Sequence, residues 1–296
     1  MNSAPTKEIF ARIAGCYDRL NRVMTCGIDI LWRRRALAAL QASFVGTVPS
    51  AILDEATGTA DFAIGAAKKF PAAQITGLDM SEPMLSIGRT KVAKAGLETR
   101  VKLVEGNAEA ISFPDASFDV VMCAFGYRNF PHKNLALAEA ARVLKPGGRL
   151  LVLELFRMES RLFATFTSWW LNLLAWFFPR ALRGDYIYLR ASIEKTSSAA
   201  EFQSLAEAAG FVLQKGSFYW PSCHCLLFNK PSSLLPITYP ATSRNPSYLH
   251  EHSRASAGGA LSTHSPFSIL NSSFELGTEC VKRDILNHLA ICVWGE

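Results

Sequence analysis

The sequence predicts an α/β fold built on a doubly wound, mostly parallel sheet, and three observations support this prediction. Between residues 51 and 156, five short apolar runs alternate with stretches of helical periodicity. The first run ends in a turn of small residues, ATGTAD, which opens the next helix. Two further apolar runs, 211–220 and 222–230, follow each other directly, which predicts an antiparallel pair that closes the sheet.

The N-terminal part, residues 1–45, is predicted to be helical. Apolar side chains recur at spacings of three and four, at Phe10, Ile13, Tyr17 and Leu20, and the run WRRRALAAL follows as a second helix. We expect these helices to belong to the same domain as the sheet and to form a lid over a bound substrate.

The strands and helices of the main domain follow in alternation. The predicted strands lie at 51–56, 74–80, 100–106, 118–126 and 149–156. Helices are predicted at 61–70, from Ser81 as N-cap with Pro83 in the first turn, and at 133–144, followed by a KPGG turn. The last helix has Ser198 and Glu201 as a capping box and Gly210 at its C-terminal end.

Three further segments complete the predicted organisation. The main domain spans 46–230, and it contains the most apolar stretch, 161–179. Residues 231–296 are rich in Ser, Pro and Thr without a sustained period, which predicts a flexible tail to which the sequence assigns no role.

Composition bounds the function. With 49% hydrophobic and 19% charged residues, the 296-residue chain has an ample core. A net charge of +6 suits an acidic surface such as a membrane, but no nucleic-acid-binding motif accompanies it. Seven scattered cysteines predict free thiols in a reducing compartment, and the N-terminus has no apolar signal region. We therefore expect a cytoplasmic protein that binds no nucleic acid.

A nucleotide site is predicted at the carboxyl edge of the sheet. Gly58 lets the backbone approach a ligand closely, and Thr59 supplies a hydroxyl beside it. Asp79 ends the second strand, where a carboxylate accepts hydrogen bonds from ribose hydroxyls; the alternative is a carboxylate that caps a helix. Ala60 and Ala63 interrupt the dinucleotide glycine pattern, which disfavours an NAD-dependent oxidoreductase.

Longer phrases resemble one family, the ubiquinone/menaquinone biosynthesis C-methyltransferases, often called UbiE or MenG. These phrases cover about residues 8 to 230 in the family's order: FARIAGCYDRLNRVMTCGIDILWRR, LDEATGTADFA, GLDMSEPML, GNAEAISFPDASFDVVMCAFGYRNF, EAARVLKPGGRLLVLEL and YIYLRASI. The FGYRN and YDRLN phrases are far more specific than the nucleotide turn. The tail from about residue 231 has no counterpart in the family.

The resemblance implies a class I, Rossmann-like methyltransferase that moves a methyl group from S-adenosyl-L-methionine to a ring carbon of a prenylated quinol. It places cofactor contacts on Thr59, Asp79, Asn107 and Ala108, in addition to Gly58 in the turn. A serine expected before the FG of FGYRN is Ala124 here. The GTAD turn is similar to that of menaquinone-type members, which favours demethylmenaquinol as acceptor, with the ubiquinone-pathway benzoquinol as a second acceptor.

Methyl transfer to a ring carbon requires a stabilised quinolate, and the predicted catalytic residues follow from this need. Arg128 is predicted to stabilise the quinolate oxygen, Asn129 to orient it, and Tyr17 to close the pocket. The alternative for Arg128 is a salt bridge to Asp18 or another acid, and for Tyr17 a packed aromatic. His132 is a weaker candidate for the base, since it is also placed at the exposed start of a helix.

The sequence offers no convincing metal site. In strand geometry Cys223 and Cys225 share one face while His224 points to the other, and no second ligand pair follows. No metal is therefore expected.

The segment 161–179 carries a polar stripe and three tryptophans and ends at a proline, so it is too short to span a membrane. We expect it to pack on the isoprenoid tail or at a membrane surface; a core or homodimer helix is the alternative. Two other functions stay open: a methyltransferase for another lipid or small phenol, and a non-catalytic cofactor-binding scaffold of a quinone-synthesis complex.

Overall fold

The computed structural model describes residues 14–15, 17–19, 21–22, 25, 27–157, 196–219 and 223–232. By its internal contacts the chain divides into Met1–Ser233 and Leu234–Glu296, and the second unit lies wholly outside the described residues. The predicted lipophilic helix at 161–179 also lies outside them, as does the predicted tail apart from residues 231 and 232.

A twisted sheet of seven strands organises the described residues. Its strands are β1 (Ala51–Glu55), β2 (Gln74–Asp79), β3 (Val101–Glu105), β4 (Phe118–Ala124), β5 (Leu144–Leu155), β6 (Val212–Tyr219) and β7 (Cys223–Asn229). They lie in the order β3-β2-β1-β4-β5-β7-β6. The first five pair in parallel, and β7 is antiparallel to both of its neighbours. The predicted parallel sheet with a closing antiparallel hairpin is confirmed.

Five helices cover the two faces of the sheet within the described parts of the chain. They are α1 (Ile28–Ala42), α2 (Asp61–Lys69), α3 (Glu82–Lys94), α4 (Lys133–Val143) and α5 (Ala199–Ala208). On β1, Ile52 belongs to the core under α1 and α2, while Leu53 belongs to the core under α4 and α5. Both faces of the strand are therefore buried, and its first three residues are apolar. Before α1, the described residues among 14–22 are helical as predicted.

The predicted N-terminal cap is present at α5, whereas the cap of α3 differs from the prediction. The Ser198 Oγ accepts from the Glu201 N–H at 3.2 Å, and the Glu201 carboxylate accepts from the Ser198 N–H at 2.8 Å, so the predicted capping box is confirmed. Ser81 is the N-cap of α3, but its hydroxyl makes no cap hydrogen bond. Instead its backbone N–H donates to Asp79 Oδ1 at 2.9 Å.

The KPGG segment differs from the prediction of a turn before the fifth strand. Strand β5 already begins at Leu144, and its pairing with β4 shifts between Phe118 and Val120, so the segment bulges within the strand. Gly147 has a φ of 76°, and a Cβ on Gly148 would lie 2.9 Å from the Lys145 carbonyl oxygen. Both positions therefore require glycine.

The CHC motif behaves as strand residues. Cys223 and Cys225 are buried in the same core as α1, whereas the His224 ring packs against Phe156 and Phe218 at centroid distances of 5.6 and 5.0 Å. The predicted separation of the thiols from the imidazole is confirmed. No helix within the described ranges is both long enough and apolar enough to cross a membrane.

Candidate active site

A cleft opens at the carboxyl ends of β1, β2 and β4, where the strand order reverses. The cleft has a cavity volume of about 130 Å³. Of the eight predicted site residues, six line this cleft: Tyr17, Gly58, Asp79, Asn107, Ala108 and Asn129. Thr59 and Arg128 do not belong to the lining, and their side chains have other partners.

The turn after β1 is unusual because three of its residues have left-handed backbone conformations. Ala56, Gly58 and Ala60 have φ values of 52°, 55° and 67°. Ala60 therefore adopts the conformation that glycine would favour, at an expense of about 1 kcal/mol. Hydrogen bonds from the Thr57 N–H to the Leu78 carbonyl and from the Ala60 N–H to the Thr57 carbonyl, at 3.0 and 2.9 Å, hold the turn against β2. Ala60 thus takes up a left-handed conformation at one of the positions where the dinucleotide pattern has a glycine.

Asp79 joins this turn to the start of α3. Its Oδ2 accepts from the Gly58 N–H at 2.8 Å, and its Oδ1 accepts from the Ser81 N–H at 2.9 Å. A carboxylate oxygen has two lone pairs, so it can accept from a hydroxyl in addition to a backbone N–H. The two backbone bonds hold the carboxylate at the edge of the cleft, in the place predicted for ribose recognition.

Asn107, Ala108 and Glu109 form the wall after β3. The Asn107 Oδ1 accepts from the Glu109 N–H at 2.9 Å, which leaves its amide NH₂ as the group able to donate to a ligand. Glu109, which the sequence analysis did not select, also lines the cleft and accepts from the His132 N–H at 2.7 Å. The sequence signal that could have identified Glu109 is its position directly after Asn107 and Ala108.

His132 is the N-cap of α4, with 61% of its side chain exposed and Nδ1 3.0 Å from Glu109 Oε2. His132 therefore lies at the exposed start of a helix, as the sequence indicated. Among the described residues it does not line the cleft.

Arg128 forms a salt bridge, which was the alternative to a catalytic role in the sequence analysis. Its partner is Glu154 of β5 and not Asp18. Its Nη1 donates to Glu154 Oε1 at 2.7 Å and to the Phe125 carbonyl at 2.8 Å, and its backbone N–H donates to Glu154 Oε2 at 3.1 Å. The side chains are 6% and 1% exposed. This buried pair fixes the short 3₁₀ turn Tyr127–Asn129 and thereby the place of Asn129 in the lining.

Thr59 points toward the N-terminal segment. Its hydroxyl donates to Asp18 Oδ1 at 2.6 Å and accepts from Lys91 Nζ at 3.1 Å. The prediction that Thr59 contacts the cofactor stays a prediction, since the hydroxyl is engaged in these two bonds and Thr59 lies outside the lining.

Two buried acids lie at the end of β1, directly behind the cleft. Burial raises the pKa of Asp54 to about 7, although the Thr57 hydroxyl, which donates to Asp54 at 2.6 Å, opposes the shift. Burial also raises the pKa of Glu55 to about 8, against the hydrogen bond from the Tyr127 hydroxyl at 3.1 Å. The same environment raises the thiol pKa of Cys123 well above its usual range, so this thiol is an unreactive core residue.

One polar atom of the site lacks a partner. Ser81 lines the cleft, is 3% exposed, and its Oγ makes no hydrogen bond within the described structure. A buried hydroxyl without a partner is unfavourable, so a ligand oxygen or nitrogen in the cleft is its natural partner.

Comparisons with known proteins bear on the resemblance stated above. The model of the ubiE/COQ5 methyltransferase family matches residues 1–219. A demethylmenaquinone methyltransferase of Thermus thermophilus is 40% identical over 207 residues, which cover 69% of this chain and 91% of that protein. The ubiquinone/menaquinone biosynthesis C-methyltransferase UbiE of Geobacter sulfurreducens is 40% identical over 210 residues, covering 69% and 80%.

Among solved structures, an SAM-dependent methyltransferase from Aquifex aeolicus superposes with a TM-score of 0.50 at 18% identity. The similarity covers 66% of this chain and 89% of that one. At this identity it shows the fold, and it confirms the predicted class I, Rossmann-like arrangement.

Proposed function

The chain belongs to the ubiE/COQ5 methyltransferase family and is an S-adenosylmethionine-dependent methyltransferase, and we propose that it methylates a ring carbon of a prenylated quinol with demethylmenaquinol as acceptor. The names of the relatives support this choice, since those proteins act in menaquinone and ubiquinone synthesis. The GTAD turn favours demethylmenaquinol over the ubiquinone-pathway benzoquinol.

The observation that carries the proposal is the charge of the cleft. Among its described lining residues, the charged side chains are both carboxylates, Asp79 and Glu109. Surroundings of this sign stabilise a cation, and the methyl donor is a sulfonium. When bound, S-adenosylmethionine supplies an electrophilic methyl group and needs no metal to do so.

The residues of the cleft fit this cofactor. Asp79, which accepts from two backbone N–H groups at the edge of the cleft, is assigned to the two ribose hydroxyls. Asn107 and Ala108 line the cleft, and they are assigned to the adenine, with the Asn107 amide NH₂ as donor. Gly58 leaves the turn without a side chain on the ligand face, and the Ser81 hydroxyl supplies an additional polar contact.

The acceptor side is assigned to Tyr17 and Asn129. Both line the cleft together with Phe125 and Phe130, whose rings suit an aromatic head group. Asn129 would hold the ring oxygen that ionises, and Tyr17 would exclude water from the reacting carbon. Both tasks concern orientation, and alignment of the reacting atoms can supply roughly 7–11 kcal/mol of the barrier reduction.

Arg128 is proposed to act through the loop that it fixes. Because its guanidinium is buried against Glu154, it holds the turn that presents Asn129. This refines the role predicted from the sequence, in which the guanidinium touched the quinolate oxygen.

The test is methyl transfer by the purified full chain. It is incubated with S-adenosylmethionine and a short-chain demethylmenaquinol under reducing conditions, and mass spectrometry detects a product heavier by one methylene group. The wild type is expected to form this product. The Asn129→Ala variant is expected to bind the cofactor but to form no methylated product. Cofactor binding without methylation of any quinol would refute the acceptor and favour the alternative of another phenolic or lipid substrate.

Contact of residues 161–179 with a membrane surface on the cytoplasmic side, and a homodimer, remain proposals from the sequence. Co-sedimentation with vesicles of anionic phospholipid tests the first, and loss of binding in Trp169→Ser/Trp170→Ser is the expected result. Light scattering of the purified chain tests the second.

A further inference from the structure

Lys91 of α3 is bonded to oxygen atoms of three separate segments. Its Nζ donates to Asp18 Oδ2 at 2.8 Å and to Thr59 Oγ1 at 3.1 Å, and it also donates to Asp61 Oδ1. Asp18 lies in the N-terminal segment, defined here as the described residues among 14–22, while Thr59 lies in the turn after β1 and Asp61 begins α2. A single ammonium group therefore connects the N-terminal segment to the turn that forms the cleft floor.

Both oxygens of the Asp18 carboxylate are held in this arrangement. Oδ2 accepts from Lys91, and Oδ1 accepts from the Thr59 hydroxyl at 2.6 Å. The neighbouring residue, Tyr17, lines the cleft together with Gly58. Fixing Asp18 therefore fixes the backbone that places Tyr17 over the cleft.

A second connection supports the first. Arg22 Nη2 donates to Asp61 Oδ2 at 2.6 Å, so the other end of the N-terminal segment is also tied to α2. Burial alone would raise the pKa of Asp61, but the positive charges of Lys91, Arg33 and Arg22 hold it below its usual range. Asp61 is thus ionised at neutral pH, as the pairing requires.

The arrangement depends on the ammonium group because it separates two carboxylates. Without it, Asp18 and Asp61 would share this site as like charges around the Thr59 hydroxyl, and like charges at close range repel. Movement of the N-terminal segment would reduce this repulsion, because Thr59 and Asp61 belong to elements that are packed on the sheet.

We propose that Lys91 is a positioning residue of the methyltransferase: it holds the N-terminal segment against the turn so that Tyr17 completes the cleft. This inference rests on the proposed function only in naming the cleft as the cofactor site. Lys91 itself lies outside the cleft lining, so it acts through Asp18 and Thr59.

The experiment compares Lys91→Met with Lys94→Met, since Lys94 is an exposed lysine one turn further along α3. Calorimetry measures the Kd for S-adenosylmethionine, and hydrogen exchange with mass spectrometry follows peptides that cover residues 14–22 without ligand. In Lys91→Met we expect a Kd about tenfold higher and faster exchange confined to 14–22. Lys94→Met should match the wild type, and Lys91→Arg should recover most of the affinity.

Asp18→Asn provides an independent check. It should reproduce both effects, and the double variant with Lys91→Met should be no weaker than either single variant, because the two side chains act as one unit. If Lys91→Met does not fold, Asp18→Asn decides the matter alone. Wild-type exchange at 14–22 in a folded Lys91→Met or Asp18→Asn protein would overturn the proposal. Failure of the wild type to methylate quinols would count against the acceptor only, because exchange is measured without ligand.

Discussion

Replacing Glu55 by Gln should stabilise the fold in a strongly pH-dependent way. Glu55 is fully buried at the end of β1, its Oε2 accepts from the Tyr127 hydroxyl at 3.1 Å, and its Oε1 has no hydrogen-bond partner within the described structure. Gln keeps the shape and the acceptor for Tyr127 but does not ionise. The variant therefore isolates the contribution of the buried charge.

The magnitude follows from the pKa of Glu55, which burial raises from 4.5 to about 8. Between these two values the folded state keeps a proton that the unfolded state has released, so the stability of the wild type falls as the pH rises through this window. Above pH 8 both states are ionised and the loss is constant. From pH 5 to pH 8 the loss amounts to about 3 kcal/mol.

The assay is urea unfolding followed by circular dichroism at pH 5, 7 and 8, with the free energy of unfolding obtained at each pH. The difference between Glu55→Gln and the wild type should grow by about 3 kcal/mol across this range. Glu82→Gln is the matched control, because Glu82 is an exposed carboxylate at the start of α3 and its difference should not grow. A constant difference for Glu55→Gln would refute the reasoning, since it would mean that Glu55 titrates alike in both states.

Three further predictions concern the cleft and its support. Asp79→Asn should weaken S-adenosylmethionine binding at least tenfold in calorimetry, because the amide offers one acceptor oxygen where the carboxylate offers two; unchanged affinity would exclude ribose recognition there. Ser81→Ala should not lower the melting temperature but should reduce cofactor affinity by about 1 kcal/mol, because the Ser81 hydroxyl has no hydrogen-bond partner among the described residues; an equal affinity would show that the cofactor does not contact this hydroxyl. Arg128→Met should destabilise the fold by about 3–5 kcal/mol in urea unfolding, because it leaves Glu154 as an unpaired buried charge. Adding Glu154→Leu should restore much of that stability, and a double variant as unstable as Arg128→Met would contradict this account.

Much of the fold could be predicted from local patterns. Runs of six to nine residues that are rich in apolar side chains and bounded by turns indicated the positions of the parallel strands, because strands buried on both faces are largely apolar. The capping box at Ser198 was also predictable, because both of its hydrogen bonds lie within one helical turn. The bulge at 145–148 was not readable, because it depends on the pairing of β5 with β4.

Part of the candidate site could also be predicted from the sequence. Gly58, Asp79 and Asn107 each follow a parallel strand directly, and the carboxyl ends of such strands share one edge, so their meeting in one cleft was predictable from sequence order. Family membership rested on phrases such as FGYRN, which the sequence shows without any structure. The composition of the cleft edge was therefore determined by the sequence alone.

Which charges pair was decided only by the tertiary structure. Arg128 and Glu154 are 26 residues apart, and they meet because β4 and β5 are neighbours in the sheet. Thr59 turns to Asp18 and Lys91 because α3 and the N-terminal segment converge on that turn. Periodicity specifies which face of an element is buried, but the partner of a long polar side chain depends on which elements lie side by side. The sequence thus determined the cleft and its family, while the packing of the elements determined how Arg128, Thr59 and Lys91 support it.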